Sequence, residues 1–423
     1  MSKKKIILFL LLLIAILEAF SFDDIRGNLR TYLPHNVKVY IKELFFGKQY
    51  IKEVQTYRLL NYNQKSLPET QYENINLKKI KLDLETTDRI HYNKAKGAQI
   101  KSKKFFLDFI GSELIAVSYN GKTQVIDDLI NPLAKKINTN LKESDIYSVL
   151  DIAYVNDEIF IATSNFRNGI TDCSYFELLK AKFNKINLAF KKIYETDVCL
   201  KNTLGGRIHN YTHKNIDGIL LTMGASDKEK QLAQNDDSPY GKVLFLNLKG
   251  DLIETFSKGH RNPQGLLIEN DIILATEHGA YGGDEINKIS YGGNYGFPIA
   301  SYGDAYLFEN ILSKRENYKF KKNHKINNFI EPIFSFVPSI GISEIIKVPK
   351  RFSKYWINNY IVTSLNGRSI YRIKFDENFT KIHFYEKIYI GERIRDIKYS
   401  ELLNSFVLAL EESGSLGILS SPQ

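Results

Sequence analysis

LDIAYVNDEIFIATS, residues 150–164, is an apolar run, a short polar break at Asn156-Asp157-Glu158, and a second apolar run. Two such runs joined by Asn-Asp predict a β-hairpin, because both turn residues tolerate left-handed backbone. The unit recurs five more times: FFLDFIGSELIAVSY from Phe105, RIHNYTHKNIDGILLTMG from Arg207, GLLIENDIILATEH from Gly265, SEIIKVPKRFSKYWINNYIVTSL from Ser343 and RDIKYSELLNSFVLALEE from Arg395. Gly-Ser, Asp-Gly, Glu-Asn-Asp and Asn-Asn supply turn residues in these units. Six hairpins spaced by roughly 45 to 80 residues suit four-stranded propeller blades with insertions between them. The expected fold is all-β: a six-bladed β-propeller over residues 104–423, preceded by an N-terminal extension.

The composition agrees. The chain has 423 residues, 43% hydrophobic and 25% charged, with 26 Tyr, 26 Phe and only 2 Met. That is globular rather than disordered or coiled-coil, and the aromatic bias favours strands. The net charge of +10 admits nucleic acid, a membrane surface or an anionic ligand as partner. No basic helix or stripe with interleaved aromatics is present, which excludes nucleic acid.

Lys3, Lys4 and Lys5 precede an apolar run from Ile6 to Leu17, and Ala19-Phe20-Ser21 fits a small-x-small cleavage site. Residues 1–21 are expected to be a signal peptide, or an N-terminal anchor if uncleaved. The expected location is therefore periplasmic or extracellular, with membrane attachment only through that segment. Residues 22–103 are Lys/Asn-rich; 37–46 suggests a short amphipathic helix, and 75–84 alternates in part like a strand. The extension is expected to wrap the main body and to supply an outer strand closing the last blade. In an oxidising compartment the two cysteines, Cys173 and Cys199, either pair or stay apart as small buried residues.

Propellers place ligands at the channel mouth, on the loops between blades. Two loops stand out. In KGHRNPQG, residues 258–265, Pro263 restricts Asn262 to extended backbone beside Arg261. In TEHGAYGGDEINKISYGGNYGFP, residues 276–298, six glycines lie among Glu277, Asp284 and Glu285. Backbone carbonyls plus carboxylates are what calcium prefers.

Together with LGGRI at 204–208, AQNDDSPYGKVL at 233–244 and RIRDI at 393–397, these segments resemble the soluble quinoprotein glucose/sorbosone dehydrogenases. The resemblance runs over about residues 105–420 and is most specific in the middle. It implies a six-bladed propeller that uses pyrroloquinoline quinone (PQQ) and calcium to take hydride from an aldose sugar or alcohol, with an electron acceptor that the sequence does not identify. By that resemblance Arg261 and Asn262 border the reacting carbonyl, and Arg393 and Arg395 grip the cofactor's carboxylates. Gly279 and Ala280 offer carbonyls to the cofactor's calcium, and Asp284 and Glu285 lie by a structural calcium. The i, i+2 spacing of Arg393 and Arg395 predicts one strand face for both.

The chain departs from the family at three points. Its catalytic histidine position is Thr203, its cofactor lysine position is Asn366, and SVLDIAYV at 148–155 replaces a Gln-bearing Gly-Leu-Leu-Gly stretch. His209 and His213 lie beyond Arg207 and do not restore the base. The alternative function is a non-catalytic propeller that binds a sugar, polymer or protein.

Overall fold

The computed structural model describes residues 76–81, 89–93, 98–130, 134–141, 146, 148–166, 173–226, 229–304 and 320–421. The expected signal peptide and the 37–46 helix lie outside these residues. No helix among the described residues is long and apolar enough to cross a membrane. The chain divides into two compact units. In the first, residues 1–60 and 88–102, the described part is a hairpin of Arg89–Asn93 and Ala98–Ser102.

The second unit, residues 61–87 and 103–423, is the six-bladed propeller. The six hairpins become the two inner strands of the six blades. The inner strands are Phe105–Ile110, Ser148–Val155, Gly205–His213, Pro263–Glu269, Ile342–Lys347 and Ile394–Ser400, in blades 1 to 6. Blade 6 contains three strands from the C-terminal part of the chain, and Asn76–Lys81 pairs antiparallel along its outer strand, Ser415–Ser420. Chain from near the two ends of the described sequence thus shares one sheet, an arrangement that closes a ring of blades without leaving the Ser415–Ser420 edge open.

Strand alternation builds the core between blades. Phe105 and Leu107 pack with Val407 and Ala409 of blade 6, whereas Phe106 packs with Val149 and Ile152 of blade 2. Each large side chain buried this way contributes about 1.5–3 kcal/mol.

One turn differs from its sequence expectation. In the 207 unit the turn is Lys214-Asn215, both with positive φ, and not Asp217-Gly218. Gly218 instead lies inside the strand Ile216–Met223. A Cβ there would stand 2.1 Å from the Leu246 carbonyl oxygen, so close strand packing accounts for this glycine.

A second repeat was not evident from the sequence. The inner strands of blades 2 to 6 each carry a register shift close to the start, around residues 150, 206, 264, 343 and 395. Bulges bend a strand and re-aim the side chains near them. At these shifts the inner strands carry a buried charge cluster. The Arg207 guanidinium lies 2.9 Å from Asp151, 3.2 Å from Glu344 and 3.9 Å from Asp396, all buried. Its Nε donates to the Gln264 carbonyl at 2.5 Å and its Nη2 to that of Arg395 at 3.2 Å. The carboxylates in turn accept N–H groups from neighbouring inner strands: Asp151 from Ile208, Asp396 from Leu107 and Glu344 from Leu266. One charge cluster therefore fastens the blades together.

Burial pushes the Glu344 carboxyl up to about 7, with Arg207 and Lys398 opposing and Asp396 and Asp151 reinforcing the rise. Asp151 is raised for the same first reason. A raised carboxyl binds more protons in the folded chain than in the unfolded one. Its contribution to stability is therefore full below pH ~4.5 and is lost as the pH rises through about 7. The urea midpoint is expected to fall between pH 5 and pH 8, and Glu344→Gln to flatten that slope. A slope unchanged in the variant assigns it to another group.

Candidate active site

The loops that enter the inner strands meet the loops between the second and third strands at one mouth of the channel. Glu277, the last residue of strand Ile272–Glu277, organises the blade 4 side. Its Oε1 accepts the backbone N–H of Arg261 and, at 3.2 Å, that of Asn262. Its Oε2 lies 3.1 Å from His260 Nδ1, and His260 Nε2 lies 2.8 Å from Ser257 Oγ. One buried carboxylate therefore sets the loop that presents Arg261 and Asn262. Arg261 Nη1 donates to the His278 carbonyl at 3.1 Å, and the His278 Nε2 bonds the Ile342 carbonyl. Burial lowers the His278 pKa and Asp284 opposes the shift, while Arg261 and Arg395 add to the lowering.

A hydrogen-bonded chain crosses the mouth from there. Asn262 Oδ1 accepts from Gly205 N at 3.2 Å and from Gln264 Nε2 at 2.9 Å. Gln264 Oε1 accepts from Arg395 Nη1 at 3.1 Å. Arg395 closes on Glu411, with Nε 2.8 Å and Nη2 2.7 Å from Oε2, and Arg393 Nε reaches Glu411 Oε1 at 3.4 Å. The strand starts at Ile394, so Arg393 lies outside it and Arg395 stands at the register shift. The two arginines converge because they share Glu411, not because they occupy one strand face. Sequence reasoning passed over Gln264 and Glu411. Their signal was present in the polar residue next to the Asn-Pro turn and in the acidic pair ending the last hairpin.

Gly279 and Ala280 form the turn opposite. A Cβ on Gly279 would stand 2.0 Å from the Gly282 carbonyl oxygen, so only glycine fits this cradle. Among the described residues neither carbonyl, Gly279 or Ala280, accepts a backbone hydrogen bond. Carbonyls left open in this way suit a hard cation. Arg261, His278 and Gly279 line a narrow cleft that also reaches Glu285. These residues fit the expected cofactor: cationic side chains border the mouth, and the Gly279 and Ala280 carbonyls, which accept no backbone hydrogen bond among the described residues, would be the ones to hold its calcium.

Asp284 holds the turn. Its Oδ1 accepts from Gly279 N at 3.1 Å, and its Oδ2 accepts from Ile340 N and Ile342 N at 3.0 Å each. Glu285 differs. Burial, reinforced by Glu277, raises its pKa well above the carboxylate range. Asn287 Nδ2 donates to its Oε2 at 3.4 Å, and the buried His324 Nε2 lies 3.9 Å from its Oε1. A cation beside Glu285 would relieve that burial. Among the described residues no three or more His, Cys, Asp or Glu side chains form a ligand cluster, so such an ion would draw on carbonyls as well.

Thr203 is buried at the foot of the loop before blade 3. Its hydroxyl donates to Ser164 Oγ and its N–H to Ser174 Oγ at 3.0 Å. Cys173 and Cys199 are joined in a disulfide, and Ser174 and Leu200 exchange backbone hydrogen bonds at 2.6 and 2.7 Å. The bridge pins the segment that leads to Thr203. Asn366 is exposed on the loop after Tyr360–Ser364, whose Leu365 N–H bonds the Gly341 carbonyl at 2.7 Å.

"Aldose sugar dehydrogenase YliI" of Escherichia coli is 26% identical over 216 residues, 47% of this chain and 56% of that protein. The chain spans about half the length of the curated relatives it matches. The apo crystal structure of the soluble aldose sugar dehydrogenase of Escherichia coli superposes with a TM-score of 0.66 at 18% identity, covering 82% of this chain and all of that one. The PQQ-bound aldose sugar dehydrogenase of Streptomyces coelicolor gives 0.57 at 15% identity, covering 84% and 99%. These likenesses are of fold. The Glucose / Sorbosone dehydrogenase model matches residues 156–417, and the chain belongs to the glucose/sorbosone dehydrogenase family.

Proposed function

We propose that the chain is an exported dehydrogenase of the aldose sugar type that uses PQQ and calcium to oxidise a small sugar or alcohol. The observation that carries the proposal is the convergence of Arg261, Asn262, Arg393 and Arg395 with the open carbonyls of Gly279 and Ala280 at one mouth. When bound, PQQ supplies a carbonyl that accepts hydride, and its calcium polarises that carbonyl. Arg393 and Arg395 hold carboxylates, because a guanidinium pairs with them bidentately. Arg261 and Asn262 present a cation and an amide to the reacting end, and Asn366 stands at the same rim. A second calcium beside Glu285, with Asp284 fixing the adjoining turn, is part of the proposal. Export follows from the n-region and apolar run at 1–21, and the disulfide suits that compartment.

The open step is removal of the hydroxyl proton. A threonine does not titrate near neutrality, and Thr203 spends its O–H on Ser164. That observation favours a second function, a propeller that binds ligand without turnover.

One experiment separates the two. The full chain is mixed with calcium and PQQ, scanned for a bound-quinone band, then assayed for dye reduction with a panel of aldoses. Binding with turnover supports the enzyme, binding alone supports the second function, and no binding at micromolar quinone defeats the cofactor. Thr203→His is expected to raise turnover at least ~10-fold, within the usual contribution of a positioned base. No gain would mean that the proton leaves by another route.

A further inference from the structure

We infer that the face opposite the mouth, at blades 5 and 6, docks on a bilayer surface containing anionic phospholipid. Blades 1 to 4 each turn from first to second strand in two residues. Blade 5 instead places VPKRFSKYWINN, residues 348–359, between Ile342–Lys347 and Tyr360–Ser364. Two buried aromatic side chains seat this loop, since Phe352 and Trp356 pack in a core shared with Ile397 and Phe406 of blade 6. The loop leaves Tyr355 61% and Ile357 40% exposed, with Lys350, Arg351 and Lys354 exposed beside them. The first turn of blade 6 lies alongside: Arg351 pairs with Glu401 at 3.1 Å, and Asn404 Nδ2 donates to the Arg351 carbonyl at 3.1 Å. That turn adds Leu402, 66% exposed. Large apolar side chains gathered on two neighbouring turns mark a contact surface, unlike single exposed ones.

Charge selects the occupant. The loop carries Lys350, Arg351 and Lys354 and no acid, against Glu401 alone on the blade 6 turn. The other turn of blade 5 at this end is balanced, with Asp376 and Glu377 flanked by Lys374 and Lys381. Lysine stems cover apolar surface while carrying their charge out to headgroups, and a phenol joins an apolar body to a polar tip. A protein partner of ordinary size would need about 800 Å² on each side, with few lysines at its centre. Three apolar side chains on two turns need only enter the headgroup layer of a bilayer.

The path of the chain gives an independent reason. Asn76 pairs with Ser420, Ser420 with Ser405, and Ser405 with Ser400, so the strand Asn76–Lys81 begins at the Leu402 end of blade 6. The preceding chain, with Lys3, Lys4, Lys5 and the apolar run of residues 6–17, therefore joins the propeller at this face. Docking here leaves the mouth, where Ile394 begins its strand at the other end of the blade, open to solvent.

Trp356 is the chain's one tryptophan, so its fluorescence reports on this loop. The full chain is titrated with phosphatidylcholine vesicles, with and without phosphatidylglycerol. Binding is read by sedimentation and by quenching of Trp356 from lipids brominated on their acyl chains. Quenching is expected only where phosphatidylglycerol is present, and it should fall with added salt. Lys350→Gln/Lys354→Gln should weaken binding about 25-fold, from about 5-fold for each cation at an anionic surface. Tyr355→Ser/Ile357→Ser should weaken it about 10-fold or more through loss of the apolar anchors. All four positions are exposed, so both variants should keep the native thermal midpoint. Sedimentation without quenching would mean that the N-terminal run alone holds the chain, and would overturn the inference. Quenching unchanged in both variants, or no binding at all, overturns it as well. A dimer in lipid-free solution that both variants disrupt would assign the patch to a second copy of the chain instead. None of these outcomes bears on the quinone site.

Discussion

Arg207→Met is expected to lower the unfolding free energy by about 3–5 kcal/mol at pH 7, the range for breaking a buried ion pair by removing one partner. Methionine keeps the length of the side chain and loses the charge. Arg207 is 2% exposed and faces Asp151, Glu344 and Asp396. Burial disfavours the arginine's charge, but the three carboxylates together hold its pKa above the ordinary value. Without the guanidinium the three carboxylates confront one another, and the carbonyls of Gln264 and Arg395 lose a donor. The deficit should depend on pH in a definite direction. Acidification protonates the stranded carboxylates, so the gap between variant and native chain should narrow from pH 7 to pH 5. Denaturant unfolding at the two pH values measures this. A gap equal at both would trace the loss to packing instead of charge. Arg207→Lys is expected to recover part of the stability, because it restores charge but not the planar fork that reaches several partners.

Much of this fold was legible as hairpins, and less of it as chemistry. The alternating runs around Gly111-Ser112 and Asn156-Asp157 fix strand pairs by local physics alone, and all six became inner strands. The Asp217-Gly218 turn was misplaced because glycine has two uses. There it admits a neighbouring carbonyl, while Lys214 and Asn215 take the positive φ. The register shifts were invisible because they depend on which strand pairs with which. They also explain why the i, i+2 spacing of Arg393 and Arg395 did not describe their geometry. A signal for the charge cluster did exist. Asp151 in LDIA and Asp396 in RDIK are acidic residues, each followed by an isoleucine, at matching places in their inner strands. Each alone resembles a surface residue; only the ring of blades brings them to Arg207. Glu411 was missed for the same reason, since 18 residues separate it from Arg393 and 16 from Arg395.

That carboxylate allows the clamp's two duties, binding and folding, to be separated. Arg395→Gln is expected to weaken PQQ binding about 100-fold or more, the scale for truncating one member of a buried, hydrogen-bonded charge pair. It should also destabilise the chain, because Glu411 is buried and would lose its two shorter contacts, to Arg395 Nε at 2.8 Å and Nη2 at 2.7 Å. A loss of binding in this variant alone would therefore be ambiguous. The double variant Arg395→Gln/Glu411→Gln removes the stranded charge as well as the cation. Replacing both members of a buried pair is often close to neutral for stability, so the double variant should regain most of the lost thermal midpoint. It should not regain quinone affinity, since the guanidinium that would meet the ligand's carboxylate is still missing. If affinity returns together with stability, Arg395 serves to fold the mouth, and the ligand's carboxylates are held elsewhere. If neither returns, the Gln264–Arg395–Glu411 bridge is needed for the shape of the mouth itself, and Gln264→Ala should then reproduce the defect with both arginines intact.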